Sequence, residues 1–125
     1  MAKTLMDFVK AAKSQITEVS VDEAQSLLSE GYRVIDVREP AEFSSGTIAG
    51  SINIPRGVLE PAADLANKDG NKDLQNGRDG KWLVLCKTSG RSAMASVVLQ
   101  EMGFSNIKNI AGGTTAWNAA SLSLV

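Results

Sequence analysis

The stretch "KWLVLCKTSGRSAMASVVLQEMGF", residues 81–104, decides the fold. Lys81 to Cys86 is an apolar run without alternation, which reads as a strand buried on both faces. A polar bend, Lys87-Thr88-Ser89-Gly90, follows. From Arg91 to Met102, the residues Met94, Val97, Val98 and Met102 return on one helical face, and Gly103 supplies a stop with Phe104 packing back. Strand, bend and helix in immediate succession mark one α/β unit.

The pattern extends in both directions. "YRVIDV" (32–37) is a second buried strand and "SNIKNI" (105–110) a short third one. "SVDEAQSLLSEG" (20–31) predicts a helix, because Ser20 and Glu23 have capping-box spacing and Gly31 ends it. A short helix is expected around Ala41 to Ser44, and "AGGTTAW" (111–117) opens a last one. Residues 61–80 become polar and rich in Gly, Asn and Asp, the composition of a solvated surface loop. Alternating strands and helices imply an α/β fold with a mainly parallel central sheet flanked by helices. Residues 1–17 form a helical arm, with Leu5, Phe8, Val9, Ala12 and Ile16 near helical spacing, ahead of a domain at 18–125. Packing on its own domain is the simplest role for the arm, and a partner contact the alternative.

Bulk composition removes several classes of function. The chain has 125 residues, 43% hydrophobic and 22% charged, with a net charge of −1. No global field draws it to nucleic acid or acidic lipid, and few aromatics are present for base stacking. There is one Cys and no His, so metal ligands are scarce and neither a metal nor a cofactor is expected. A Cys–His or Ser–His catalytic pair is ruled out. Asp7 and Lys10 interrupt the N-terminal apolar stretch, against a secretory signal, and no run reaches membrane-spanning length. A lone Cys suits a reducing compartment, and the cytoplasm is the expectation.

Cys86 ends a strand, where ligand sites of open α/β sheets lie. A tight bend before a helix turns backbone N–H groups into an anion-binding concavity, and the helix dipole adds to it. Such surroundings favour the nucleophilic thiolate and hold an anion beside it. Cys86 is therefore the candidate nucleophile, with Lys87, Thr88, Ser89, Gly90, Arg91 and Ser92 as candidate substrate-binding residues. Arg91 can grip an oxyanion with two parallel hydrogen bonds. A free Cys is often only a small buried hydrophobe; the basic, glycine-bearing loop and the helix that follow argue against that here.

"CKTSGRS" (86–92) resembles the active-site loop of the rhodanese family. "VIDVREPAEFSSGTIAGSINIP" (34–55) is similar to that family's upstream signature, and "IAGGTTAWNAA" (110–120) to its closing Gly-Gly-x-x-x-Trp segment. The resemblance covers about residues 18 to 120 in the family's order. It implies a rhodanese-like three-layer fold and transfer of sulfane sulfur, without a cofactor. Cys86 would take sulfur from thiosulfate or a persulfide donor, hold it as a persulfide, and pass it to cyanide, a thiol or a protein acceptor. Thr47 stands where the family usually carries His, and a change in local packing is expected from it. Asp36 and Arg38, at the end of a buried strand, are supporting site residues expected to fix the loops, with Glu42 the expected partner of Arg38. Gly112 and Gly113 read as backbone-conformation positions and Trp117 as core.

Two rival functions follow from the same residues. A cysteine phosphatase or arsenate reductase also pairs a thiolate with Arg in an anion-binding loop. Tyrosine-phosphatase loops, however, place one more residue between Cys and Arg than the four found here. A persulfide carrier or regulatory binding module without turnover of its own is the other.

Overall fold

The computed structural model describes residues 1–125. Five parallel strands, β1 (Thr17–Val19), β2 (Arg33–Asp36), β3 (Ile52–Asn53), β4 (Trp82–Leu85) and β5 (Ile107–Ile110), form one sheet in the order β1-β5-β4-β2-β3. Around it lie α1 (Leu5–Lys13), α2 (Val21–Ser29), α3 (Pro40–Ser44), α4 (Leu59–Ala63), α5 (Lys72–Gln75), α6 (Gly90–Glu101) and α7 (Gly113–Ala119). No helix is long and apolar enough to cross a membrane.

Side-chain alternation along the strands divides the core into two. Ile35, Trp82, Val84, Cys86 and Ile107 face one side, packed with Leu59, Leu74, Ala95 and Leu99. Val34, Leu83, Leu85 and Ile110 face the other, with Ala24, Ile48 and Trp117. β4 sits between β2 and β5 and is buried at every position, as an unbroken apolar run requires. The register pairs Asp36 with Leu85, so the C-terminal ends of β2 and β4 emerge side by side.

Local signals act as expected at several termini. Ser20 Oγ accepts from the Glu23 amide and Glu23 Oε1 accepts from the Ser20 amide, both at 3.1 Å. Gly31 and Gly103 are left-handed, at φ +94° and +96°, and the Phe104 amide donates back to the Leu99 carbonyl at 3.0 Å.

Three features depart from the sequence-based expectation. Residues 61–80 are not simply a solvated loop: Leu74 in α5 is fully buried, and the Trp82 indole donates to the Gly77 carbonyl at 2.9 Å. The isolated apolar residue in a polar stretch carries no periodicity, so its burial is settled by tertiary packing. Second, α6 turns Ser92, Ala93, Ala95, Ser96 and Leu99 inward. The stripe of Met94, Val97 and Val98 lies partly buried on another side, where α1 packs, with Val9 and Ala12 of α1 buried. Small residues let the helix approach the sheet closely, and the larger ones receive α1. Third, β1 and β3 are too short to produce a recognisable alternation.

Candidate active site

Alternation along β4 points Cys86 toward α6, and the bend then returns the chain to it. Ser89, the N-cap of α6, has φ +84°, a left-handed conformation that costs a non-glycine residue on the order of 1 kcal/mol. That conformation aims its amide at the thiol: Ser89 N donates to Cys86 Sγ at 3.1 Å. The Ser89 carbonyl in turn accepts from Ala93 N at 2.9 Å, Ser92 Oγ at 3.2 Å and Asn109 Nδ2 at 3.4 Å. Its hydroxyl accepts from Lys13 Nζ at 2.9 Å.

The start of α7 grips the same loop from behind. Thr114 N donates to the Cys86 carbonyl at 2.9 Å and Thr115 N to the Lys87 carbonyl at 3.0 Å. Gly113 permits this closeness. Its φ is +57°, and a Cβ there would overlap the Cys86 carbonyl oxygen and lie 2.6 Å from the carbonyl atoms of Lys87.

Cys86 is only 1% exposed, yet its side chain borders a cavity of about 240 Å³. Thr88, Gly90 and Arg91 line that cavity with it. Lys87 points elsewhere, exposed and outside the lining, and Ser92 is buried beneath the loop. The expected concavity of backbone N–H groups reaches the sulfur itself through one donor only. Ser89 supplies the single amide bonded to Sγ, while those of Thr88, Gly90, Arg91 and Ser92 have no acceptor within the protein. The free first-turn amides and the dipole of α6, twelve residues long, leave this end of the cavity electropositive.

Arg91 is committed differently from expectation. Its Nη1 and Nη2 donate to Glu42 Oε1 and Oε2 at 2.7 and 3.0 Å. The side-chain hydrogen bonds from Arg91 are the main cause that brings the Glu42 carboxyl down to about 2, opposed by partial burial and reinforced by the Glu39 amide. The same pairing raises the Arg91 guanidinium above its ordinary value. Arg91 thus contributes charge to the cavity wall while Glu42 holds its fork.

Glu42 is consequently not the partner of Arg38. Arg38 pairs with Asp36, through Nε at 3.0 Å and Nη2 at 2.8 Å, and Nη2 also donates to the Gly46 carbonyl. Thr47 Oγ1 donates to Asp36 Oδ2 at 2.8 Å, and Asn53 Nδ2 bridges the Asp36 and Arg38 carbonyls at 3.0 and 2.9 Å. Both ions are nearly or wholly buried and paired with each other, an arrangement that fixes the loop after β2. Thr47 is a member of that cluster.

The cavity has a wall that the sequence did not reveal. Leu5, Met6, Val9 and Lys13 of α1 line it opposite the loop. Nothing local to residues 5–13 signals this; only the docking of α1 on α6 brings them there.

A family model described as "Rhodanese-like domain" matches residues 20–120. Thiosulfate sulfurtransferase 16 of Arabidopsis thaliana, a chloroplastic protein, is 37% identical over 103 residues, covering 81% of this chain and 86% of that protein. The chain covers 59% to 63% of four longer relatives. Among solved structures, a Rhodopseudomonas palustris protein of unknown function, described as a possible tyrosine phosphatase, superposes with a TM-score of 0.90 at 28% identity, covering 100% of this chain and 96% of that one. The polysulfide-sulfur transferase homodimer of Wolinella succinogenes is 34% identical with a TM-score of 0.72, covering 94% of this chain and 83% of that one. Relatives so named support sulfur transfer as the general class of activity. The parallel sheet, the strand-end cysteine loop and the match over residues 20–120 have one conclusion: the chain belongs to the rhodanese-like domain family.

Proposed function

We propose that the protein is a sulfurtransferase that carries sulfane sulfur on Cys86. The observation that carries this reading is Cys86 at the edge of a cavity, its Sγ 3.1 Å from the Ser89 amide, with Lys13 and Arg91 lining the same space. An anionic sulfur donor meets positive charge on entry, and a sulfur anion meets a fixed N–H donor at the site of reaction.

With thiosulfate, the Cys86 thiolate attacks the outer sulfur. A new S–S bond forms, the old one breaks, and its electron pair leaves with sulfite, so Cys86 becomes an anionic persulfide. An acceptor, cyanide in an assay and a thiol or protein group in a cell, then attacks the outer sulfur and restores the thiolate. Nucleophile and product are both anions, so no histidine base is needed, and the scheme is ping-pong. A reducing compartment such as the cytoplasm would keep the lone thiol free.

The test is intact mass after thiosulfate treatment. The wild type is expected to gain one sulfur atom that cyanide or dithiothreitol removes. Cys86→Ser is expected to gain none and to lose thiosulfate:cyanide activity while melting cooperatively. A wild type that takes up no sulfur, or full activity in the variant, overturns the reading.

A persulfide carrier is the second reading. The 1% exposure of Cys86 favours it, because an acceptor must enter the cavity to reach the sulfur; stoichiometric loading with slow release would distinguish it. Phosphatase chemistry is disfavoured because Glu42 already occupies the Arg91 fork, and no hydrolysis of p-nitrophenyl phosphate is expected.

A further inference from the structure

The only left-handed non-glycine residue at the thiol is Ser89, and its hydroxyl is held by an ammonium 76 positions away in the chain. Lys13, at the last turn of α1, donates to Ser89 Oγ at 2.9 Å and lies 3.7 Å from Glu18 Oε2. Asn109, fully buried on β5, donates from the same Nδ2 to Glu18 Oε2 at 2.9 Å and to the Ser89 carbonyl at 3.4 Å. These contacts close a ring of four residues from α1, β1, β5 and the cysteine loop, entering Ser89 through its hydroxyl and leaving through its backbone carbonyl.

Asn109 Oδ1 is the one buried side-chain polar atom without a hydrogen-bond partner. Turning the amide over would satisfy nothing better, since it would set Oδ1 against the Glu18 carboxylate and the Ser89 carbonyl, two acceptors. The residue leaves one acceptor unfilled so that its N–H donors can hold Glu18 and Ser89. The ring therefore converges on the backbone of Ser89, whose amide is the single one bonded to Cys86 Sγ.

We propose that Lys13 is a positioning residue: through the Ser89 hydroxyl it holds the strained loop in the conformation that directs the Ser89 amide at the reacting sulfur, which makes α1 part of the active site. The proposal rests on sulfur transfer at Cys86 for its role in turnover, but the positioning can be measured without it. A lysine that only bound the anionic donor would affect thiosulfate and leave a neutral reagent untouched. A lysine that sets the sulfur's environment affects both.

Lys13→Met removes the donor and keeps the apolar stem. Lys13→Arg keeps a donor, and Lys10→Met removes an exposed charge one turn earlier on the same helix. For each, the rate of Cys86 alkylation by neutral iodoacetamide, the rate of persulfide formation from thiosulfate, the Ser89 amide resonance and the melting temperature would be measured. Lys13→Met is expected to slow alkylation and persulfide formation by about tenfold, the scale of a charge-assisted hydrogen bond, and to move the Ser89 resonance. Lys13→Arg should recover at least part of both rates, and Lys10→Met should change neither. In a Ser89→Ala background, Lys13→Met should have no further effect on alkylation. Unchanged alkylation with slowed thiosulfate use, or an equal effect from Lys10→Met, overturns the proposal. Wild-type protein that takes no sulfur from thiosulfate but whose alkylation still depends on Lys13 would overturn sulfur transfer and uphold the positioning role.

Discussion

Glu42 receives both terminal nitrogens of Arg91, at 2.7 and 3.0 Å, and so joins α3, which follows the strand bearing Asp36, to the first turn of the helix that follows Cys86. The two residues lie 49 positions apart. The ion pair places a cation on the cavity wall with both of its terminal nitrogens held by Glu42. It couples the two loops that frame the site.

Breaking this pair should have a small thermodynamic effect and a larger kinetic one. The side chains are 37% and 32% exposed, so Glu42→Gln is expected to cost about 1 kcal/mol or less. The folded Glu42 carboxyl, at about 2, lies below its ordinary 4.5, so its contribution is complete above the ordinary value and is lost as pH falls from there toward about 2. Urea unfolding of wild type and Glu42→Gln should differ at pH 6 and converge in acid. Arg91→Ala should slow thiosulfate-dependent persulfide formation by about tenfold, on the scale of one lost charge contact. Unchanged kinetics would show that the Ser89 amide, Lys13 and the α6 dipole suffice.

The Asp36–Arg38 pair should behave in the opposite way. Both side chains are nearly or wholly buried, so Asp36→Asn leaves Arg38 uncompensated and is expected to cost about 3–5 kcal/mol. Thr47→Val removes one of the donors to Asp36 and should cost about 1–2 kcal/mol, with rates of sulfur transfer unchanged. Denaturant unfolding at neutral pH together with the thiosulfate assay checks both; equal losses would show that Thr47 is as essential to the cluster as the ion pair.

Gly113→Ala is expected to be among the most damaging single-methyl additions in the chain. The added carbon would meet the carbonyls of Cys86 and Lys87 at a residue with φ +57°, so a loss above about 2 kcal/mol is anticipated. Because the displaced atoms belong to the cysteine loop, persulfide formation should fall even where enough folded protein remains to assay. Thermal melting and single-turnover loading test this together, and a stable, fully active variant would refute the close approach.

What could be read from the residues in order was whatever depends on neighbours in the chain. The buried strand ending at Cys86, the bend into α6, the capping box of Ser20 and Glu23, and the stops at Gly31 and Gly103 are local devices. They act through hydrogen bonds and backbone preferences within a few residues, so the sequence carries them directly. The strand-end cysteine with its glycine-bearing loop was legible for the same reason.

The partners of the long charged side chains were not. Arg38 was expected to meet Glu42, but Asp36 holds Arg38, and Arg91 takes Glu42. Leu74 was hidden in a polar stretch, and Lys13 gave no sign of reaching Ser89. A flexible side chain can satisfy its charge with any oppositely charged group that folding brings near, and a lone apolar residue has no period to announce its burial. Local sequence therefore determined the three longer strands, the turns and the candidate nucleophile, whereas the two edge strands, the cavity wall, the ion pairs and the setting of the sulfur were decided only when helices distant in the chain packed on one sheet.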